Sequence, residues 1–245
     1  MELIILGHII GDFYVQTDNI AEKKKISIKY MLLHCLVYSI ILGIVFFIIT
    51  KMIIETIGII IIVLLTHFVI DIFKRKFDRK NRYEYMNFIA DQAAHIIILF
   101  CIFFIVKNNL CIQPCCDYII NELKMGDCIR IGSAFLICWK PASIFISLVF
   151  KVIPQTIDKA DATIKSESVS KKESVRIGSL IGILEREIML LLGLMGQFGA
   201  IGFVLTAKSL ARFKQLENKA FAEKYLVGTL LSSLIAIFCI IVCKI

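Results

Sequence analysis

Long uncharged apolar runs, Ile57 to Leu65 and Ile96 to Val106 among them, alternate along this chain with short blocks of charge. A run of that kind has to lie where backbone polar groups are satisfied within the helix itself, and a chain built of several such runs belongs in a bilayer. Composition agrees: 58% of the 245 residues are hydrophobic and mean hydropathy is +0.83. Soluble domains average about 45–50% apolar residues. The pattern excludes a soluble globular enzyme, a disordered chain and a coiled coil. With about 20 residues per span, it predicts an all-α polytopic membrane bundle of about six to seven hydrophobic segments.

The net charge of +8 does not point to a nucleic-acid partner, because the basic residues sit between apolar spans, where positive-inside topology calls for them. Membrane lipids are the expected surroundings, and the bacterial cytoplasmic membrane the expected location. The nine cysteines are scattered. Cys35, Cys101, Cys138, Cys239 and Cys243 lie in apolar runs as small hydrophobes, and Cys111, Cys115, Cys116 and Cys128 share one polar loop without a paired C-x-x-C knuckle. Neither a P-loop, nor a Rossmann fingerprint, nor a G-x-S-x-G elbow is present.

The apolar segments run from Met1 to Val15, Tyr30 to Thr50, Ile57 to Phe73, Met86 to Val106, Ile129 to Ile153 with an expected kink at Pro141, Ile177 to Thr206, and Tyr225 to Val242. Residues 1–110 read as a four-helix membrane unit, 111–128 as a polar extracytoplasmic loop, and 129–245 as further membrane helices with a cytoplasmic loop at 154–176. Ala207 to Lys224 reads as a basic interfacial amphipathic helix. Its side is open: either the glycine-rich stretch before it is re-entrant or the basic helix lies outside. Lys23, Lys24, Lys25 and Lys29 mark one cytoplasmic loop, and Lys74 to Arg82 the next.

Ionisable residues inside spans cost roughly 2.5–3.5 kcal/mol or more each, and they mark function by default. All four histidines lie in the first four apolar segments, and three belong to pairs with aspartate four residues away: His8 with Asp12, His67 with Asp71, Asp91 with His95. Residues at that spacing share one helix face. At about 1.5 Å per residue, Asp12, His34, Asp71 and Asp91 fall about 5–16 Å from the same basic face, so His8, Asp12, His34, His67, Asp71, Asp91 and His95 form one layer in the inner half of the bundle. A single pair reads as polar glue between helices; three pairs and a fourth histidine in one layer read as a metal site. Imidazole and carboxylate donors suit zinc, manganese or iron, as one or two ions. Asp18 and Asp91 are the candidate bases. Lys140, Glu185 and Arg186 form a second constellation, read either as a site for an anionic head group or as paired and snorkelling charges.

Gly7-His8-Ile-Ile-Gly11-Asp12 with Gln16-Thr17-Asp18, Leu33-His34, Thr66-His67 through Asp71, and Asp91-Gln92 through His95 resemble a bacterial family of polytopic membrane proteins classed as a domain of unknown function, over about the first 110 residues. More distantly, histidine–aspartate pairs on successive membrane helices are similar to the predicted inner-membrane metal-dependent hydrolases. The stretch around Ile181 to Arg186, with Gln197, Ala200 to Phe203 and Ala207 to Ser209, looks like a companion region often fused to that domain. The resemblance supports the metal site more than a reaction; the site itself leads us to expect a metal-dependent hydrolase of a lipid or lipid-linked phosphate or ester at the cytoplasmic leaflet. An ion, metal or proton transporter using the same layer, and a non-catalytic membrane partner protein, are the alternatives from other classes.

Overall fold

A computed structural model describes residues 1–24, 26–78, 83–109, 125–152 and 168–244, without the side chains of 18, 19, 109 and 168–176. Every regular element among the described residues is helical. Among the described residues, five helices are long and apolar enough to cross a membrane. The chain divides into two units, Met1–Ser133 and Ala134–Ile245.

The first unit opens with α1 (Glu2–Ile9), which runs without a break into a π-helical segment at Ile10–Tyr14, and then α2 (Asp18–Lys23). Thr17 caps α2 by accepting from the Ile20 amide at 3.4 Å. Three long apolar helices follow: α3 (Ile28–Thr50), α4 (Ile53–Asp78) and α5 (Glu84–Asn109). The hinge between α3 and α4 is short because Lys51 adopts the left-handed conformation, φ 54°, and ends α3 with an amide bond back to Phe47 O. Thr50, fully buried beside it, donates its hydroxyl to Phe46 O at 3.0 Å.

The core of this unit is Ile4 from α1, Leu42 and Phe46 from α3, Ile59 and Val63 from α4, and Leu99 and Val106 from α5. Opposite faces of the same helices carry exposed Ile44, Ile61, Leu65 and Ile97. Apolar side chains that point away from the core are what a lipid-facing surface requires. The basic ends also converge: Arg75 near the end of α4 donates to Ile26 O, between α2 and α3, at 2.7 Å. His34 near the start of α3, Asp71 near the end of α4 and Asp91 near the start of α5 therefore lie toward one end of the unit.

The second unit contains most of α6 (Met125–Val152), then α7 (Ser168–Leu194), α8 (Phe198–Ala211), a single turn α9 (Phe213–Leu216) and α10 (Lys219–Lys244). α6 runs through Pro141 without ending. Three expectations need correction. The loop expected at 154–176 is helical from Ser168 onward, with 153–167 outside the described residues. The apolar stretch Ile177 to Thr206 is two helices, because Gly196 takes φ 76°, a backbone conformation glycine reaches at no steric cost. The single interfacial helix expected at Ala207 to Lys224 is likewise divided. Arg212, at φ −112° and ψ 14°, ends α8, and Asn218 Oδ1 accepts from the Ala220 and Phe221 amides to start α10.

Candidate metal centre

Asp12 reaches the centre through a distortion of its helix. The Val15 amide bonds to Ile10 O at 3.0 Å, an i to i+5 bond that widens the turn carrying Asp12. Two glycines bring that turn against α3. A methyl group on Gly7 would stand 2.9 Å from Val45 Cγ2, and one on Gly11 2.9 Å from Tyr38 Cδ2. Small residues four apart permit this backbone approach. The residue after each glycine, His8 and Asp12, is consequently buried at the seam.

All seven side chains singled out as ligands are at least nine-tenths buried. His34 Nε2 and His67 Nε2 face each other at 3.1 Å, and Asp12 Oδ1 lies 3.2 Å from His34 Nε2. Asp71 Oδ2 lies 4.0 Å from His34 Nε2 and 3.9 Å from His67 Nε2. A tetrahedral ion with bonds of about 2.0–2.1 Å holds its ligand atoms about 3.3 Å apart. The Asp12–His34 and His34–His67 spacings match that value, and Asp71 Oδ2 stands about 0.6 Å farther off than an ion would hold it. Ligand atoms of Asp12, His34 and His67 lie within 4.8 Å of one another; so do those of Cys35, His67 and Asp71, and those of Asp71, Asp91 and His95. Asp71 and His67 each belong to two of these groups.

Several of these atoms are buried without a hydrogen bond: Asp71 Oδ2, Asp91 Oδ1, His95 Nε2 and His67 Nδ1. Buried polar atoms normally find a partner, and an orphan is explained by strain, a catalytic role or an ion. For His95 the tautomer follows from its other nitrogen. Nδ1 lies 2.8 Å from the Asp91 carbonyl oxygen, which only accepts, so Nδ1 carries the hydrogen and Nε2 is left with a lone pair.

Gln92, Tyr38, Lys24 and Lys74 belong to the same site and were not singled out from the sequence. Gln92 Nε2 donates to Asp12 Oδ2 at 2.8 Å and to Asp91 Oδ2 at 3.1 Å. Its Oε1 must then accept from His8 Nε2, 3.1 Å away, and His8 Nδ1 accepts from the Tyr38 hydroxyl at 2.9 Å. Both ring nitrogens of His8 are thereby bonded to protein, and His8 sits behind the donor layer rather than in it. Tyr38 also stacks on His67, ring centroids 3.9 Å apart. Lys74 Nζ lies 2.6 Å from Asp91 Oδ2, and Lys24 Nζ lies 3.6 Å from Asp71 Oδ2. Asp18 opens α2, and its side chain lies outside the described residues.

The second constellation is internal to the other unit. Arg186, 2% exposed, donates from Nε to Cys138 O at 2.7 Å, from one terminal nitrogen to Ser143 Oγ at 2.7 Å, and from the other to Ser232 Oγ at 3.3 Å. It ties α6 and α10 to α7. Glu185 pairs with Lys208 of α8 at 2.5 Å, and Lys208 also reaches Thr229. Lys208, absent from the sequence-derived set, is thus the cation that neutralises Glu185. Lys140 lies within α6 one residue before Pro141.

Residues 1–119 match the model of a family described as a protein of unknown function, DUF3307. The DUF3307 match spans α1 to α5 and includes every residue of the centre. Neither a curated protein nor a solved structure matches the chain.

Proposed function

We propose that the N-terminal unit is a membrane-embedded metal centre that hydrolyses a lipid or lipid-linked phosphate or ester at the cytoplasmic leaflet. The observation that carries this reading is the approach of Asp12 from the π segment and His67 and Asp71 from α4 to His34 Nε2 on α3, with orphaned lone pairs on Asp91 and His95 beside them. Imidazole nitrogens and carboxylate oxygens suit zinc, manganese or iron. A divalent ion of that kind polarises a phosphoryl or carbonyl oxygen and acidifies a water.

The chain's own residues supply the rest. Asp12, His34, His67 and Asp71 hold the charge in place. Gln92 orients Asp12 and Asp91 at once, and His8 and Tyr38 fix Gln92 and His67 from behind. Asp91 Oδ1, buried and unbonded, accepts the proton of the attacking water. The water oxygen bonds to phosphorus or to the carbonyl carbon, the bond to the ester oxygen breaks, and that oxygen leaves with the proton that Asp91 had accepted. The same reading makes this a multi-pass protein of the bacterial cytoplasmic membrane.

Elemental analysis of purified protein tests it. One or two transition ions per chain are expected without added metal. His67→Ala should lower metal affinity more than about 100-fold, since losing a supporting residue alone costs 10–100-fold, and should abolish hydrolysis of phospholipid or lipid pyrophosphate. Folded protein that holds no metal removes the site. Tight metal binding without hydrolysis, together with metal uptake into proteoliposomes, transfers the reading to transport.

A further inference from the structure

The centre has two lysines at its rim, and their arrangement narrows the substrate class. Lys24 and Lys74 are 16% and 24% exposed at the side chain, whereas the carboxylates they face, Asp71 and Asp91, are nearly fully buried. The ammonium groups thus lie between the donor layer and the outside, at the end of the unit where Arg75 holds the two basic segments together. Lys74 also lies 5.6 Å from the centroid of the Phe88 ring.

We infer that Lys24 and Lys74 form the receptor for a phosphoryl group, so that the substrate of the metal centre is a phosphate ester or lipid phosphate rather than a neutral carboxyl ester. The inference rests on the metal-centre reading and adds the class of substrate to it. Charge balance carries the argument. Among the described residues, Asp12, Asp71 and Asp91 against Lys24 and Lys74, with neutral imidazoles, leave one net negative charge at the centre. One divalent ion turns that into one positive charge, and two ions into three. Excess positive charge in a low-dielectric site draws in an anion, and a neutral ester leaves it uncompensated.

Local geometry points the same way. Asp71 Oδ2, the atom facing Lys24, is also the atom aimed at His34 and His67. An ion on that oxygen would draw on the carboxylate that faces Lys24 at 3.6 Å and leave the partly wet ammonium group able to meet a further acceptor. A phosphoryl group offers several oxygens, which lets one reach the ion while others meet the two lysines. Lysine and metal clamps on phosphoryl oxygens work in this way.

The test uses full-length protein in nanodiscs of neutral lipid, loaded with zinc or manganese, with metal content measured on every sample. Inorganic phosphate and, separately, phosphatidic acid added to the nanodisc serve as probes. Phosphate should bind the metal-loaded protein at least tenfold more tightly than metal-free protein, and Lys24→Gln with Lys74→Gln should weaken it at least tenfold while metal content is unchanged. Lys24→Arg with Lys74→Arg should retain binding, which separates lost charge from misfolding. Competition of phosphatidic acid with phosphate assigns the site to lipid head groups; phosphate binding without competition assigns it to a soluble phosphate; both support the receptor. Full metal content with no phosphate binding, or with binding unaffected by the glutamine variants, overturns this inference and leaves the metal centre standing. Absence of metal overturns both.

Discussion

His8 and His67 are both buried, and each is followed four residues later by an aspartate, yet their ring nitrogens face different partners. His67 offers Nε2 to the point shared with His34 and Asp71. His8 gives Nε2 to Gln92 and Nδ1 to Tyr38. Chelator-competition titrations should separate them. His67→Ala removes a donor and should prevent retention of the ion; His8→Ala should keep stoichiometry and weaken affinity about 10–100-fold, the usual loss when an outer partner of a ligand is removed. Equal losses at the two positions would place His8 among the donors. The i, i+4 pairs were legible in the sequence because helix geometry is local. The difference between them was not, because it depends on Tyr38 and Gln92, 30 and 84 residues from His8. Lys24 and Lys74 were visible only as part of the basic runs that set topology. Nothing in their spacing marks them as counter-charges to Asp71 and Asp91.

At the scale of elements, the irregularity of the first apolar stretch is what buries Asp12 at the site. It is too short to span, and its hydrophobic count alone gives no reason for Asp12 to be buried. The π turn at Ile10–Tyr14 and the glycine pair supply the reason, by shifting register and allowing α3 to approach. Gly11→Ala tests this without touching a donor. Its new methyl group meets Tyr38 Cδ2 at 2.9 Å, and Tyr38 is held by its stack on His67 and its bond to His8, so the π segment must move instead. Overpacking of this kind costs about 1–3 kcal/mol. A lower melting temperature and reduced metal occupancy are expected together; unchanged occupancy would show that Asp12 tolerates displacement and contributes little. Long apolar periods located α3, α4, α5, α6 and α10 in the sequence. The breaks after Leu194 and Ala211 were missed, since they hang on the dihedral angles of Gly196 and Arg212 rather than on hydropathy.

For the molecule as a membrane protein, the decisive geometry is that Lys23 and Lys76 belong to one end of the first unit and Lys51 to the turn between α3 and α4. The bond from Arg75 to Ile26 O fixes the first two together. α3 separates them from Lys51 by 23 helical residues, about 35 Å of rise, enough to cross the hydrocarbon core. All three residues are exposed. In a chain stripped of its nine cysteines, Lys23→Cys and Lys76→Cys should react with an impermeant maleimide in inverted vesicles and not in intact cells, and Lys51→Cys should do the reverse. Labelling of Lys23→Cys and Lys76→Cys from opposite sides would break the arrangement of α3 and α4 and with it the meeting of His34 and His67. Labelling of both from outside would preserve the arrangement and invert it, moving the centre to the outer leaflet. The basic density of these segments argues against that inversion, because lysine and arginine next to short spans are retained on the cytoplasmic side. On the proposed reading, a centre reached through Lys24 and Lys74 from that side would meet phosphate groups of the inner leaflet without requiring them to cross the bilayer.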